Sequence, residues 1–543
     1  MGLNLSAEQK SIVKIFNSIS VYIIPAYQRS YSWDIDKCSI LWDDLEYTLE
    51  QSSTDGYFLG NIVIAKSDDS DELDVVDGQQ RLITLTLLLK ALSFFDKEND
   101  DIKESMLRQD RRDKTNTKQV IRSYVFEQND NEYLKKYIKE EDAKKIIADN
   151  NKNIFATNFT FFYNKLEEFN KDKNISNFSD FLLDKVYMLP IVARGEDEST
   201  ANEKALMIFE TLNNRGMELS DADIFKSQLY NSALNDKKQN EFIKEWLELS
   251  EFCNEIDISI VDLFRSYMHI IRGETSDIGK EIGLRVFFTK VHPLKKKEYS
   301  LVSQDLYKIA LTFQYNNLVY NNNEPNKKLV KWIQVLSEYK IQYVKYAIIT
   351  YIYKNSTVDD DKLILSNEKE LETYLIHLIR FSYFYGSTTK TKFKFYEIIS
   401  LIMNGKEFKF KIPHAREYDY LGSLKNGYIL LANYLDDNQD PIYPYKFDKI
   451  LYQTDVKSLD INWKNKEYYN YGETIGNLLL LEFTKKRKDL LKRIDSYEKS
   501  IIIDTSKLSS QLNKWTYKDY RERHKVLIEK IKIFIEDNDA IYS

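Results

Sequence analysis

Five consecutive residues combine the side chains that phosphate chemistry needs. Asp77, Gly78, Gln79, Gln80 and Arg81 stand between the apolar pair Val75-Val76 and a stretch that places leucines at 82, 85, 87, 88 and 89. An extended apolar run followed by a leucine-rich helical pattern predicts a strand-to-helix corner here. The first N–H groups of a helix have no partner within the helix and attract anions. Gly78 can adopt a left-handed backbone and let a ligand approach the main chain. Asp77 offers a carboxylate to a metal ion or a water, and Arg81 offers a planar fork to a phosphate. Such a corner suits a nucleoside phosphate. It also arises as plain punctuation, with Gln79, Gln80 and Arg81 as a solvated first turn, and spacing alone does not separate the two readings.

Two further segments carry unusual side-chain combinations. Ile23-Ile24-Pro25-Ala26-Tyr27-Gln28-Arg29-Ser30-Tyr31-Ser32-Trp33 sets a strand end before two tyrosines, an arginine and a tryptophan. Phe209-Glu210-Thr211-Leu212-Asn213-Asn214-Arg215-Gly216 reads as a helix closing on Gly216 as its C-terminal cap. Ser220 followed by Asp223 then resembles a capping box opening the next helix.

The elements that must position these groups are a short helix over Leu5–Ile15, a strand at Tyr22–Ile24 and an amphipathic helix at Cys38–Glu50. Strands at Tyr57–Ala65 and Leu73–Val76 flank a polar turn, and a helix runs from Gln79 to about Phe94. Residues 96–153 are dense in charge and asparagine and read as a surface insertion, with a helical pattern over Ser123–Glu141. Val186–Val192 is a buried strand, and Ala201–Leu212 a helix. From Asp221 to Asn404 periods of three and four dominate, which predicts a helical middle region. Its tyrosines and phenylalanines are expected in the core rather than as a platform for bases.

In this order, the three segments resemble the N-terminal domain of the GmrSD family of modification-dependent restriction proteins, over roughly residues 1–235. The resemblance implies a ParB/sulfiredoxin-like α/β domain that binds and hydrolyses nucleoside triphosphates with Mg²⁺ in defence against phage or modified foreign DNA. Carried over residue by residue, Asp77, Gln79, Gln80 and Arg81 would be catalytic, with Asp77 also the metal ligand. Gly78, Tyr27, Gln28, Arg29, Tyr31, Trp33, Asn213 and Arg215 would bind nucleotide.

The same family commonly ends in a His-Me-finger nuclease domain. Asp448-Lys449-Ile450-Leu451-Tyr452-Gln453, then Trp463, then Thr474-Ile475-Gly476-Asn477-Leu478 resemble its frame, and Trp515–Arg523 resembles its closing helix. The family's histidine, however, is Lys449 here. A His-Me nuclease takes a proton from water with a neutral imidazole near pH 7, whereas an ordinary lysine is protonated there. Asp448, Lys449 and Asn477 therefore mark a degenerate nuclease site; His414 lies upstream of it. The expectation is an α-rich α/β chain of three parts: an NTPase sensor over 1–235, a helical region over 236–400 and a divergent His-Me-finger-like domain over 401–543. An active endonuclease with atypical residues and a non-catalytic nucleotide- or DNA-binding subunit are the alternatives, with partner defence proteins or a homo-oligomer possible in each.

Composition narrows the remaining classes. A chain of 543 residues exceeds one hydrophobic core, so several domains are expected. A net charge of −7 argues against a uniformly basic DNA-binding surface, although Lys485–Lys488 is a local basic run. Two cysteines and five histidines without ligand spacing argue against a disulfide framework or a zinc site. No apolar run is long enough to span a bilayer, and the N-terminus lacks signal-peptide features, so a cytoplasmic location is expected.

Overall fold

The computed structural model describes residues 5–17, 20–51, 56–68, 70–109, 117–125, 130–212, 220–235, 237–323, 325–386, 391–413, 424–452, 455, 472, 474–482, 490–512 and 515–536. It is α/β and rich in helix, and it divides into two compact units, residues 1–247 with 288–300, and residues 248–287 with 301–543.

The first unit is a mixed sheet with helices on both faces. Its strands are β1 (Leu5–Ala7), β2 (Lys10–Ser11), β3 (Val21–Ile24), β4 (Tyr57–Ser67), β5 (Glu72–Asp77), the small pair β6 (Leu107–Gln109) and β7 (Thr117–Gln119), β8 (Ile121–Ser123) and β9 (Val186–Gly195). The order across the main sheet is β1-β9-β4-β5-β3-β8, with β2 also on β9. β3 runs parallel to both β5 and β8, β4 runs parallel to β9, and β4 and β5 are antiparallel. The helices are α1 (Ile12–Phe16), α2 (Ile35–Glu50), α3 (Gln79–Leu92), α4 (Asp100–Glu104), α5 (Asp130–Lys139), α6 (Ala143–Ile147), α7 (Ile154–Asp172), α8 (Ile175–Asp184), α9 (Glu198–Leu212) and α10 (Asp221–Asn235).

Side chains alternate across a strand, so β4 supplies two cores. Ile62 and Ile64 join Val75, the leucines of α3 and the phenylalanines of α7 on one face, whereas Val63 and Ala65 join Val76, Ala201, Ala205 and Phe209 on the other. Every residue of α3 except Arg81 is buried, the polar Gln79, Gln80, Thr84, Thr86 and Lys90 among them.

Two expectations change. Leu5–Ile15 is not one helix: Leu5–Ala7 pairs with Ile191–Ala193 and only Ile12–Phe16 is helical. The free edge of β9 offers backbone groups that a strand satisfies and a helix does not. Residues 96–153 are not merely a surface insertion. Ile121–Ser123 completes the sheet beside β3, and Val120, Leu134, Tyr137 and Ile146 lie in the main core.

The second unit is mostly helical. It holds the end of α11 (Gln239–Glu255), then α12 (Ile260–Glu274), α13 (Leu284–Val286), α14 (Tyr299–Tyr320), α15 (Lys327–Ser337), α16 (Tyr343–Lys354), α17 (Glu368–Tyr385), α18 (Thr391–Met403) and α19 (Lys425–Tyr434). The hairpin β10 (Ser356–Asp359) and β11 (Lys362–Leu365) follows α16. A second antiparallel pair, β12 (Tyr445–Lys449) and β13 (Leu478–Glu482), is followed by α20 (Leu490–Glu498), α21 (Ile503–Ser509) and α22 (Tyr517–Glu536). One core runs from Val319 to Ile535, and a smaller one gathers Ile450, Leu479, Tyr497 and Trp515. Among the described residues no helix is long and apolar enough to cross a membrane.

Leu88 is 0% exposed at the centre of α3, whereas Ile40 on α2 is 63% exposed. Leu88→Ala is expected to cost about 2–5 kcal/mol of unfolding free energy in urea titrations, and Ile40→Ala no more than about 0.5 kcal/mol. Equal losses would contradict the packing described.

Candidate functional site

β5 ends at Asp77, and the chain turns through Gly78 at φ +96° into α3. A Cβ at Gly78 would lie 2.4 Å from Ile62 Cγ2, so both the backbone angle and the packing require glycine. The first bond within the helix runs from Leu82 N–H to the Gly78 carbonyl at 3.0 Å, and the N–H groups before it have no helical acceptor.

Arg81 folds back over the corner. Its Nη2 lies 3.2 Å from Asp77 Oδ2 and its Nη1 donates to the Leu59 carbonyl at 3.4 Å. The guanidinium has room because Gly60, at φ +114°, has no side chain: a Cβ there would sit 2.4 Å from Arg81 Nη1. Gly60 is thus a positioning residue that sequence reading missed. A glycine inside a strand was the available signal, since it often marks a bulge or close approach, and the β4–β9 register does shift between Phe58 and Gly60. Burial raises the Asp77 pKa above the ordinary carboxylate value, opposed by the charge of Arg81, the Gly78 N–H and the charge of Arg29. Two arginines therefore act on one partly exposed carboxylate.

The segment after β3 is laced to this corner. Gln28 Nε2 donates to the Val76 carbonyl at 2.9 Å, Gln79 Nε2 to the Arg29 carbonyl at 3.2 Å, and Gln80 Nε2 to the Ser30 carbonyl at 3.1 Å. Gln80 Oε1 in turn accepts from Ser32 N–H at 2.8 Å. The Gln80 amide is thus engaged at both ends by the loop, while the buried Gln79 Oε1 has no partner among the described residues. Tyr31 is 1% exposed; its hydroxyl bonds Thr84 at 2.7 Å and accepts from Asn158 Nδ2 at 2.8 Å. Asn158 also donates to the Trp33 carbonyl at 2.6 Å, and the buried Asp130 carboxylate accepts the Tyr31 N–H at 2.8 Å. Asp130 and Asn158 had no signal in the sequence, because their meaning lies in contacts about a hundred residues away. Of the loop from Tyr27 to Tyr31, only Arg29 is exposed. Asn213 and Arg215 lie outside the described residues.

Tyr27 faces the opposite side of the sheet. Its hydroxyl lies 3.4 Å from Asn202 Oδ1, and Asn202 Nδ2 lies 3.4 Å from Asp74 Oδ2. Asp74 borders a cavity of about 550 Å³ with Glu72, Glu198, Tyr124 and Tyr230. Burial first, then the charge of Glu198, pushes Asp74 up to about 7.

In the second unit, Asp448 and Lys449 close β12 and Asn477 precedes β13. Asn477 is fully buried: Oδ1 accepts from Leu451 N–H at 3.0 Å, and Nδ2 donates to the Leu451 and Gly472 carbonyls at 2.9 and 2.8 Å. It clamps the two strand ends together. Asp448 accepts from the Lys449 N–H and from the Tyr452 hydroxyl, and beside them Arg493 pairs with Asp455, both buried. His524 packs against Gly476, while His414, Trp463 and Lys485–Lys488 lie outside the described residues. No group of three or more His, Cys, Asp or Glu side chains suited to a metal ion occurs among the described residues.

The Asp74 geometry carries a pH signature. A carboxyl whose folded pKa rises from 3.8 to about 7 contributes stability below 3.8 that is lost as pH rises through 7. Asp74→Asn removes that slope, so the Tm of the variant relative to the parent is expected to rise between pH 5 and pH 8, as read by scanning calorimetry. A constant difference across that window would contradict the assignment.

No curated protein matches the chain. Residues 12–230, which contain the laced loop and the corner, match the family described as GmrSD restriction endonuclease, N-terminal domain.

Proposed function

We propose that the first unit is a ParB/sulfiredoxin-like domain that binds and hydrolyses a nucleoside triphosphate, and that its nucleotide state governs action on foreign DNA in a cytoplasmic antiphage or modification-dependent restriction system. The observation that carries this reading is the Arg81–Asp77 pair, 3.2 Å apart and partly exposed at the N-terminus of α3, with the charge of Arg29 also acting on that carboxylate. The family match supports the restriction role.

Phosphate oxygens would meet the first-turn N–H groups of α3, and Arg81 would exchange its bond to Asp77 for a two-point grip on phosphate. Asp77, released from Arg81, would hold the attacking water, and its raised pKa brings it closer to accepting a proton. Gln79 Oε1 is a second acceptor for that water. Mg²⁺ is held by one or two carboxylates together with substrate phosphates, so the single carboxylate of Asp77 fits it. When bound, the ion would neutralise phosphate charge. Positioning and charge stabilisation supply most of the catalysis in phosphoryl transfer.

The C-terminal site gives little support to DNA cleavage by this chain. Lys449 stands in place of an imidazole, and the polar atoms of Asn477 are turned inward. A second protein of the same system would then supply the nuclease.

Phosphate release from the four nucleoside triphosphates, with and without DNA, tests this reading. Arg81→Ala and Asp77→Ala are expected to lower turnover by about 100-fold or more, with circular dichroism unchanged. Unchanged turnover in both variants would sink the hydrolytic assignment. Nucleotide binding without release would favour a non-catalytic sensor.

A further inference from the structure

A second hollow, within the helical unit, has the lining of a binding site. It encloses about 490 Å³ between α16, α17, α18 and the extended strap that follows Gly405. Its aromatic wall is built in layers. Tyr374 is buried and anchored by its hydroxyl to the Ala347 carbonyl at 3.0 Å. The half-buried Tyr351 stacks on it with ring centroids 4.1 Å apart and planes 10° from parallel, and Phe408 meets Tyr374 edge-on at 6.3 Å. Most aromatic side chains of this unit are enclosed by packing, but these three border open space.

The rim is charged with both signs. Lys354 ends α16 and Lys406 lies on the strap, opposite in charge to Glu370 and Glu407. Glu370 accepts from Asn367 Nδ2 at 2.8 Å and Glu407 pairs with Lys409 at 2.8 Å, which holds both carboxylates in place. Burial, reinforced by these two carboxylates, pushes the Tyr351 hydroxyl up to about 12, so it stays protonated and able to donate.

Each part of this lining matches one part of a nucleotide. An aromatic ring that borders open space can meet the face of any base, carboxylates accept its ring N–H and amino donors, and lysines attract a phosphate. A purely apolar ligand would leave four charged groups without use, and a simple anion would meet two carboxylates.

We propose that the hollow seats a nucleobase with its phosphate, the base against Tyr351 and the phosphate at Lys354 and Lys406. The proposal is independent of hydrolysis at Asp77. The ligand is either a free nucleotide or one unit of a single strand, and the two sources are separable.

The experiment uses the full chain carrying Arg81→Ala, which weakens the Asp77 corner; binding that remains there is recognised by its indifference to Tyr351→Ala. Binding of AMP and GMP is measured by calorimetry, and binding of a short fluorescein-labelled single-stranded oligodeoxynucleotide by anisotropy. Tyr351→Ala is expected to weaken binding about tenfold, and Tyr351→Phe, which keeps the ring, less than about twofold. Lys354→Glu and Lys406→Glu should weaken it and flatten its salt dependence. Binding of the monophosphates supports a free nucleotide, and binding of the oligodeoxynucleotide alone supports a strand. Binding of neither probe, or affinity unaltered by Tyr351→Ala and both lysine substitutions, would overturn the proposal.

Discussion

The first unit depends on the hydrogen bonds that three glutamine side chains make to backbone. Gln28 reaches the end of β5, and Gln79 and Gln80 reach back to the loop after β3. The Gln28 and Gln80 bonds are buried and the Gln79 bond partly so, and each buried one lost would leave an amide or a carbonyl without water, at about 1–3 kcal/mol. Two segments some fifty residues apart are thereby locked as one rigid piece, which Asp130 and Asn158 brace from behind. A motif rich in glutamine thus has a largely architectural meaning, with Arg29, Asp77 and Arg81 as its outward-facing groups.

Sheet topology explains why those groups meet. β3 and β5 are parallel neighbours, with Ile23 opposite Asp74, so their C-terminal ends emerge on the same edge. Loops at the carboxyl ends of parallel strands are where open α/β sheets bind ligands. β4 runs the other way and brings Gly60 and the Leu59 carbonyl beneath Arg81. A side chain at Gly60 would displace the guanidinium, and one at Gly78 would strike Ile62. The corner is shaped as much by two missing Cβ atoms as by the groups it displays.

In the second unit a single buried side chain joins two strand ends. Asn477 joins the ends of β12 and β13 through three hydrogen bonds in a dry interior, where each would be costly to lose. The position that resembles a histidine site is Lys449, beside a buried Arg493–Asp455 pair. Removing one member of such a pair would strand a buried charge, which ties the region to structure.

The strands at Tyr57 and Leu73, the helix after Gln79 and the cap at Ser220, whose Oγ accepts from the Asp223 N–H, were legible from local pattern, since period and cap residues act within a few positions. So were the motif residues and the family they resemble, because short functional segments keep side-chain order. Fold detail set by partners was not legible. Leu5–Ala7 became a strand because β9 offered an edge, and the charged stretch before Asn153 supplied a sheet strand and the brace Asp130. The chain alone determined which groups can meet a phosphate. Tertiary structure decided which of them face outward, because burial and pairing depend on neighbours that the linear order does not reveal.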